Sequence, residues 1–288
     1  MEVTNLSDVR PRSRRVAVGE FDGVHLGHRK VIEGNDTVLT FEPHPTVVVQ
    51  PDAAPLLLTS LEVKAELIAA LGVQELVVIP FDHGFASQSP EEFIDTVLVG
   101  QLGATHVSVG GNFRFGRRAT GDTALLSADP RFETRVVPLV SGSGETISST
   151  RIRELVTAGS VAQAATLLGH PFSVRGEVVD GDKRGRTIGF PTANIVPDPA
   201  FVCPAYGVYA CRVGARPAAV NVGVRPTFGT GLRPLIESYL LDFDGDLYGE
   251  RLTVEFVEQI RGEARFDTVD ALVAQIEDDV RRTRELCA

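Results

Sequence analysis

Residues 15–30 read RVAVGEFDGVHLGHRK, and this stretch decides the fold of the chain's first half. Val16, Ala17 and Val18 form the short apolar run that a strand buried on both faces requires, and the run empties into Gly19-Glu20-Phe21-Asp22-Gly23. A helix is predicted just beyond, with His25 and His28 on its first turn, three residues apart on one face. A strand leading through a glycine turn into a helix N-terminus makes a place for phosphate, because unpaired N–H groups and the positive end of the helix dipole meet there. Gly23 and Gly27 let the backbone approach a ligand, and the two histidines can act on one phosphate. An ordinary βα turn with a surface histidine pair is the plain alternative from these residues alone.

Working outward, residues 36–41, 75–80, 105–109 and 133–137 read as further strands. Helices alternate with them. Residues 59–62, TSLE, form a capping box before apolar residues at helical spacing, and Ser89-Pro90-Glu91-Glu92 opens a second helix through Phe93, Val97 and Leu98. This alternation predicts a parallel, doubly wound sheet. A short helix from Ser160 ends at Leu168-Gly169-His170-Pro171, which predicts a boundary between domains 1–168 and 169–288. Beyond it residues 172–179, 207–213, 218–222, 236–242 and 252–257 read as strands with little helix between them. Val269, Leu272, Val273, Ile276 and Val280 then make one face of a terminal helix, so a small antiparallel barrel with a helix packed on it is expected.

The composition limits the function. With 288 residues, 43% hydrophobic and 23% charged, the chain has material for two cores. A net charge of −10 disfavours a nucleic-acid partner, and no apolar run approaches the roughly 18 residues that span a bilayer. The first residues carry arginines with no apolar stretch after them, so no secretory leader is expected and a cytoplasmic location is the default. Cys203, Cys211 and Cys287 show no C-x-x-C pairing and read as packing residues. Oligomeric state is not legible.

Several loops carry chemistry-bearing residues. In residues 110–116, GGNFRFG, the glycines allow close approach while Asn112 and Phe113 can hydrogen-bond to and stack on a flat ring. Residues 148–153, SSTRIR, gather hydroxyls and guanidiniums at a helix start, a second anion site. Residues 181–186, GDKRGR, form a basic loop, and Thr192 and Asn194 are hard oxygen donors two residues apart, suited to Mg²⁺. Glu237, between Ile236 and Ser238 on an apolar strand, is either outward-facing or a positioned base. No Walker A sequence surrounds Lys30, Lys64 or Lys183. Residues 242–253 fail as an EF-hand, with Leu247 sixth and Thr253 twelfth, and an acidic hairpin turn is expected there.

FDGVHLGH resembles the signature of the Rossmann-like HxGH nucleotidyltransferases in the form carried by the bacterial bifunctional riboflavin kinase/FAD synthetase family. That family carries T-F-x-P-H-P, G-x-x-F-x-F-G and I-S-S-T-x-x-R in this order, and residues 40–45, 110–116 and 147–153 match. The second half is similar to its flavokinase module, through P-T-A-N at 191–194, N-x-G-x-R-P-T at 221–227, Glu237, and D-F-x-G-D-L-Y-G at 242–249. The resemblance implies ATP-dependent phosphorylation of riboflavin to FMN, then adenylylation of FMN to FAD with release of pyrophosphate. It implies that His25 and His28 hold the phosphates in a turn that includes Phe21, Asp22, Gly23 and Gly27, with Ser149, Thr150 and Arg153 on the β and γ groups. It places Asn112 and Phe113 near the flavin of one site, and Asn221 and Arg225 near the flavin of the other. It gives Arg184 and Arg186 to ATP, Thr192 and Asn194 to Mg²⁺, and Glu237 the proton of the riboflavin 5′-hydroxyl. Family members usually carry a longer helix after HxGH, whereas here Phe41 follows His28 by 41 − 28 = 13 positions. The rival expectations are a riboflavin kinase with a weakened adenylyltransferase half, and a flavin-binding sensor or carrier without turnover.

Overall fold

Two units, Met1–Ser149 and Thr150–Ala288, make up the chain. The computed structural model describes residues 1–142, 144–181, 189–227 and 231–288, and of 225–227 and 231–233 the backbone alone.

In the first unit β1 (Glu2–Asn5), β2 (Arg14–Val18), β3 (Thr37–Glu42), β4 (Glu75–Pro80), β5 (Ala104–Gly110) and β6 (Glu133–Val137) form a sheet in the order β1-β4-β3-β2-β5-β6. Every pairing in it is parallel, as the alternation of strands and helices predicted. A parallel sheet is covered on both faces, which is why its central strands are unbroken apolar runs. Val16, Val18, Leu39, Val77 and Val107 pack to one side with Phe93, Val97 and Leu98. Ala17, Val38, Leu76 and Val78 pack to the other with Val31, Ile32 and Ile68. At the amino-terminal end of the sheet Arg14, 2% exposed, donates to Glu75 at 2.8 Å. Burial pushes the Glu75 carboxyl up, but hydrogen bonds and charge from Arg14 and Arg12 outweigh it and leave the group below its ordinary range.

The short crossover between β2 and β3 closes. Its helix is Leu26–Ile32, and β2 pairs with β3 from Val16 opposite Thr37. So brief a helix has most of its last carbonyls unpaired within itself, and side chains from outside answer them. Asn35 donates to the carbonyls of Val31 and Ile32 at 3.0 and 3.1 Å. Arg135, on β6, donates to the carbonyls of Lys30 and Glu33 at 2.7 and 2.6 Å, its charge also facing the negative end of the helix dipole. Ser89 opens the next helix as expected, forming a capping box with Glu92, and the segment continues as a π-helix over Phe93–Gln101. The helix Leu61–Ala69 is capped by Ser60 rather than Thr59, because the Thr59 hydroxyl is already engaged with Gly23 and Asp22.

In the second unit β9 (Phe172–Val179), β10 (Ala193–Ile195), β11 (Gly207–Val213), β12 (Arg216–Thr227), β13 (Gly231–Leu240) and β14 (Arg251–Arg261) close a barrel in the order β10-β13-β12-β11-β14-β9. In the chain between β6 and β9 a two-stranded piece pairs β7 (Ser141–Gly142) with β8 (Glu145–Thr146). The helix Val161–Leu168 stops at Gly169, which adopts the left-handed conformation with φ +74°. The terminal helix Val269–Leu286 packs on the barrel with Leu272, Val273, Ile276 and Val280 of its expected face half-buried, and departs from expectation at its first residue. Val269 is 61% exposed, and the buried helix residues are Asp279 and Thr283. Asp279 accepts from the Arg261 guanidinium at 2.8 Å, so a paired charge seats the helix more deeply than its apolar stripe does. Asp242, in the acidic turn after β13, gives its carboxylate to Arg284 of the same helix at 2.6 and 2.8 Å.

Candidate active sites

The strand order fixes where the first unit can bind a ligand. From β2 the chain moves outward to β3 and β4 on one side, then returns to β5 and β6 on the other. The carboxyl ends of β2 and β5 therefore flank the point at which the order reverses, where open parallel sheets form a crevice. The turn after β2 carries the histidines, and the loop after β5 is GGNFRFG.

The turn is bent hard and pinned. Phe21 and Val24 have φ +51° and +39°, in the left-handed region that costs a side-chain-bearing residue of order 1 kcal/mol or more. Asp22 over-determines the bend. Its buried carboxylate accepts from the backbone N–H of Leu58 and Thr59 at 2.9 and 3.0 Å, and its carbonyl accepts from the Ser149 hydroxyl at 2.9 Å. Gly23 N–H donates to the Thr59 hydroxyl at 3.0 Å. Asp22 and Ser149, which the family motif associates with nucleotide, are thus also the side chains that hold the turn in shape.

His25 stands at the N-cap, one position before the helix, and not on its first turn as the spacing predicted. Its Nδ1 accepts from the His28 N–H at 3.2 Å, which places the proton of the neutral ring on Nε2. The two rings still meet: their centroids are 3.5 Å apart at an interplanar angle of 19°, and Phe21 lies edge-on to His28 at 5.4 Å. A Cβ at position 27 would come within 3.0 Å of the His25 ring, so glycine there lets the ring fold over the helix start.

After β5, Asn112 is exposed and Phe113 is half-buried, one face stacked on Phe115 at 5.6 Å and 16°. Phe115 leads through Phe93 and Phe85 to Phe81 and Phe41, an aromatic row that joins this loop to the carboxyl end of β3. Gly116, at φ +70°, sits where a Cβ would meet Pro90. Thr150 and Arg153 continue the helix Ser149–Thr157 beyond Ser149 and fall in the second unit, Thr150 exposed and Arg153 half-buried.

The second unit holds a different constellation. On β13, Ile236 and Ser238 are fully buried inside the barrel, and the alternation puts half-buried Glu237 on its outer face. The register sets Glu237 between Asn194 of β10 and Asn221 of β12. Asn221 donates its amide to Glu237 at 3.1 Å. Asn194, 5% exposed, turns its amide N–H₂ toward the Thr192 carbonyl at 3.4 Å. A side chain at Gly181 would collide with Asn194, so the start of the basic loop packs against this row. Arg184, Arg186 and the Arg225 side chain lie outside the described residues.

Some supporting residues carry no sequence signal. Asn35 and Arg135 read as ordinary loop and strand residues, and only their contacts reveal them. β10, three residues beside a turn, shows no periodicity in sequence, yet it is the strand that closes the barrel.

A family model described as FAD synthetase matches residues 8–151, and one described as Riboflavin kinase matches residues 168–287. A bifunctional riboflavin kinase/FMN adenylyltransferase of Listeria monocytogenes is 40% identical over 95% of this chain and 92% of that protein. The chain belongs to the bifunctional riboflavin kinase/FMN adenylyltransferase family. An Escherichia coli K12 member is 39% identical over 98% of this chain and 96% of that protein. A crystal structure of a Streptococcus pneumoniae protein described as a macrolide-efflux protein superposes with a TM-score of 0.90 at 32% identity, over 99% of each chain. Among the described residues no helix is long and apolar enough to cross a membrane.

Proposed function

We propose that this chain phosphorylates riboflavin to FMN with residues 169–288 and adenylylates FMN to FAD with residues 1–168, spending ATP in each step. What carries the proposal is the Glu237 row: a carboxylate on the outer barrel face, held by Asn221 and set beside Asn194. In the kinase step Glu237 accepts the proton of the riboflavin 5′-hydroxyl, whose oxygen bonds to the γ-phosphorus as ADP leaves. Thr192 and Asn194 would hold Mg²⁺, which would neutralise phosphate charge; their neutral oxygens are donors of the kind that ion takes. Arg184 and Arg186 bind the ATP phosphates, and Asn221 and Arg225 bind the flavin.

In the adenylylation step an FMN phosphate oxygen bonds to the α-phosphorus of ATP and the bond to pyrophosphate breaks. The chemistry needs positioning and charge stabilisation. His25 and His28, stacked beside a helix N-terminus, supply donors to the phosphates, with Phe21, Gly23 and Gly27 shaping the turn and Ser149, Thr150 and Arg153 on the outer phosphates. Asn112 and Phe113 border the flavin. The substrates are small molecules, with no nucleic acid or membrane partner, and the location is the cytoplasm, in keeping with three free cysteines.

Glu237→Gln is expected to abolish FMN formation from riboflavin while FAD still forms from supplied FMN, and His28→Ala the reverse. Either variant silencing both reactions equally would sink the assignment. Absence of FAD from FMN, ATP and Mg²⁺ with the wild-type protein would reduce it to the kinase.

A further inference from the structure

Glu20 stands at the carboxyl end of β2, between Gly19 and Phe21, and no step above uses it. Its backbone is fixed: the carbonyl accepts from the Thr40 hydroxyl at 3.1 Å, and that hydroxyl accepts in turn from Lys64 Nζ at 3.4 Å. Its carboxyl is in a poor place for a charge. Oε2 is sealed from solvent and has no hydrogen-bond partner among the described residues. The charged groups that act on it are Lys64 from the helix Leu61–Ala69, Glu42 from the end of β3 and Asp22 from its own turn. One cation faces two other acids, and no donor is spent on Oε2. Burial is the main cause and pushes the group up to about 8; Lys64 draws it down, while Asp22 and Glu42 raise it.

We propose that Glu20 is a charge gate of the adenylyl-transfer site: as a neutral acid it lets the FMN phosphate settle on the histidine turn, and as a carboxylate it repels that phosphate. The inference rests on the assignment of this turn to phosphate. The incoming phosphate, with a second ionisation near pH ~6, keeps its charge from neutral pH upward, so the change of charge belongs to the protein. The gate acts on FMN affinity in the first unit and leaves the Glu237 site of the second to its own chemistry.

The test is the KM for FMN at saturating ATP and Mg²⁺, measured at pH 7 and pH 9. If only the neutral form of Glu20 accepts phosphate, an ionisation near 8 raises KM about tenfold across this interval in the wild type. Glu20→Gln, neutral at every pH, is expected to bring the ratio of the two values to about one. Equal ratios in wild type and Glu20→Gln overturn the gate. Lys64→Met provides a second reading: removal of the cation that favours the carboxylate is expected to move the rise in KM to higher pH, and no shift or a shift to lower pH overturns it. The two failures are distinguishable, since FAD formation with equal ratios removes the gate alone, whereas no FAD at either pH removes the site assignment with it.

Discussion

Replacing Asp22 by alanine separates holding the turn from contacting the nucleotide. In the native turn the carboxylate accepts from two buried backbone donors, Leu58 N–H and Thr59 N–H, at 2.9 and 3.0 Å. Alanine offers no acceptor, and each buried N–H left without one costs about 1–3 kcal/mol, so Asp22→Ala should cost the first unit about 2–6 kcal/mol. In a unit of this size 1 kcal/mol moves the midpoint by about 2–4 °C, which puts the expected fall at roughly 10 °C. The left-handed residues Phe21 and Val24 add to the effect, because the bonds that hold them bent are gone. Differential scanning calorimetry of the full chain should show the transition of Met1–Ser149 shifted, with that of Thr150–Ala288 in place. FAD formation, assayed well below the lowered midpoint, should be weakened through the displaced histidines. A first transition at the wild-type temperature, with FAD formation abolished, would refute the reasoning and make Asp22 a direct nucleotide ligand.

Two further outcomes are expected. Asn221→Ala frees the Glu237 carboxylate to rotate, and if Glu237 is the base proposed above, a misplacement of about 1 Å costs on the order of 10²-fold in rate, so FMN formation should fall by that order while FAD formation from supplied FMN is unchanged. Arg135→Met removes two hydrogen bonds to the end of the Leu26–Ile32 helix, at about 1 kcal/mol each. Its mark should be faster hydrogen exchange in that helix together with a midpoint lower by roughly 4–8 °C.

The strands of the sheet were legible in the sequence because parallel strands buried on both faces must be apolar throughout. β1 was not, since Glu2–Asn5 is mostly exposed and polar, and only its pairing with β4 makes it a strand. The terminal helix shows the opposite failure. Its apolar stripe is visible in sequence, but Arg261 and Asp279 look like surface charges until they are seen paired, with Asp279 buried and Arg261 half-buried. At the sites the side chains proposed to meet substrate sit in short recognisable motifs. Their supports do not: Asp22 to Leu58 spans 36 residues and Arg135 to Lys30 spans 105, distances over which no local periodicity carries information. The placement of His25 was missed by one position, because spacing cannot tell a cap from a first helical residue when the capping atom is an imidazole nitrogen.

The bond from the Ser149 hydroxyl to the Asp22 carbonyl joins residues 127 apart and brings the final residue of the first unit onto its histidine turn. A chain made from its N-terminus exposes that turn early and must wait for almost the whole unit to be synthesised before the turn can be fastened. Nascent chains that stop short of Ser149 should therefore carry the sheet with a loose turn, and the turn is fastened only after Ser149 has cleared the ribosome, with part of the second unit already made.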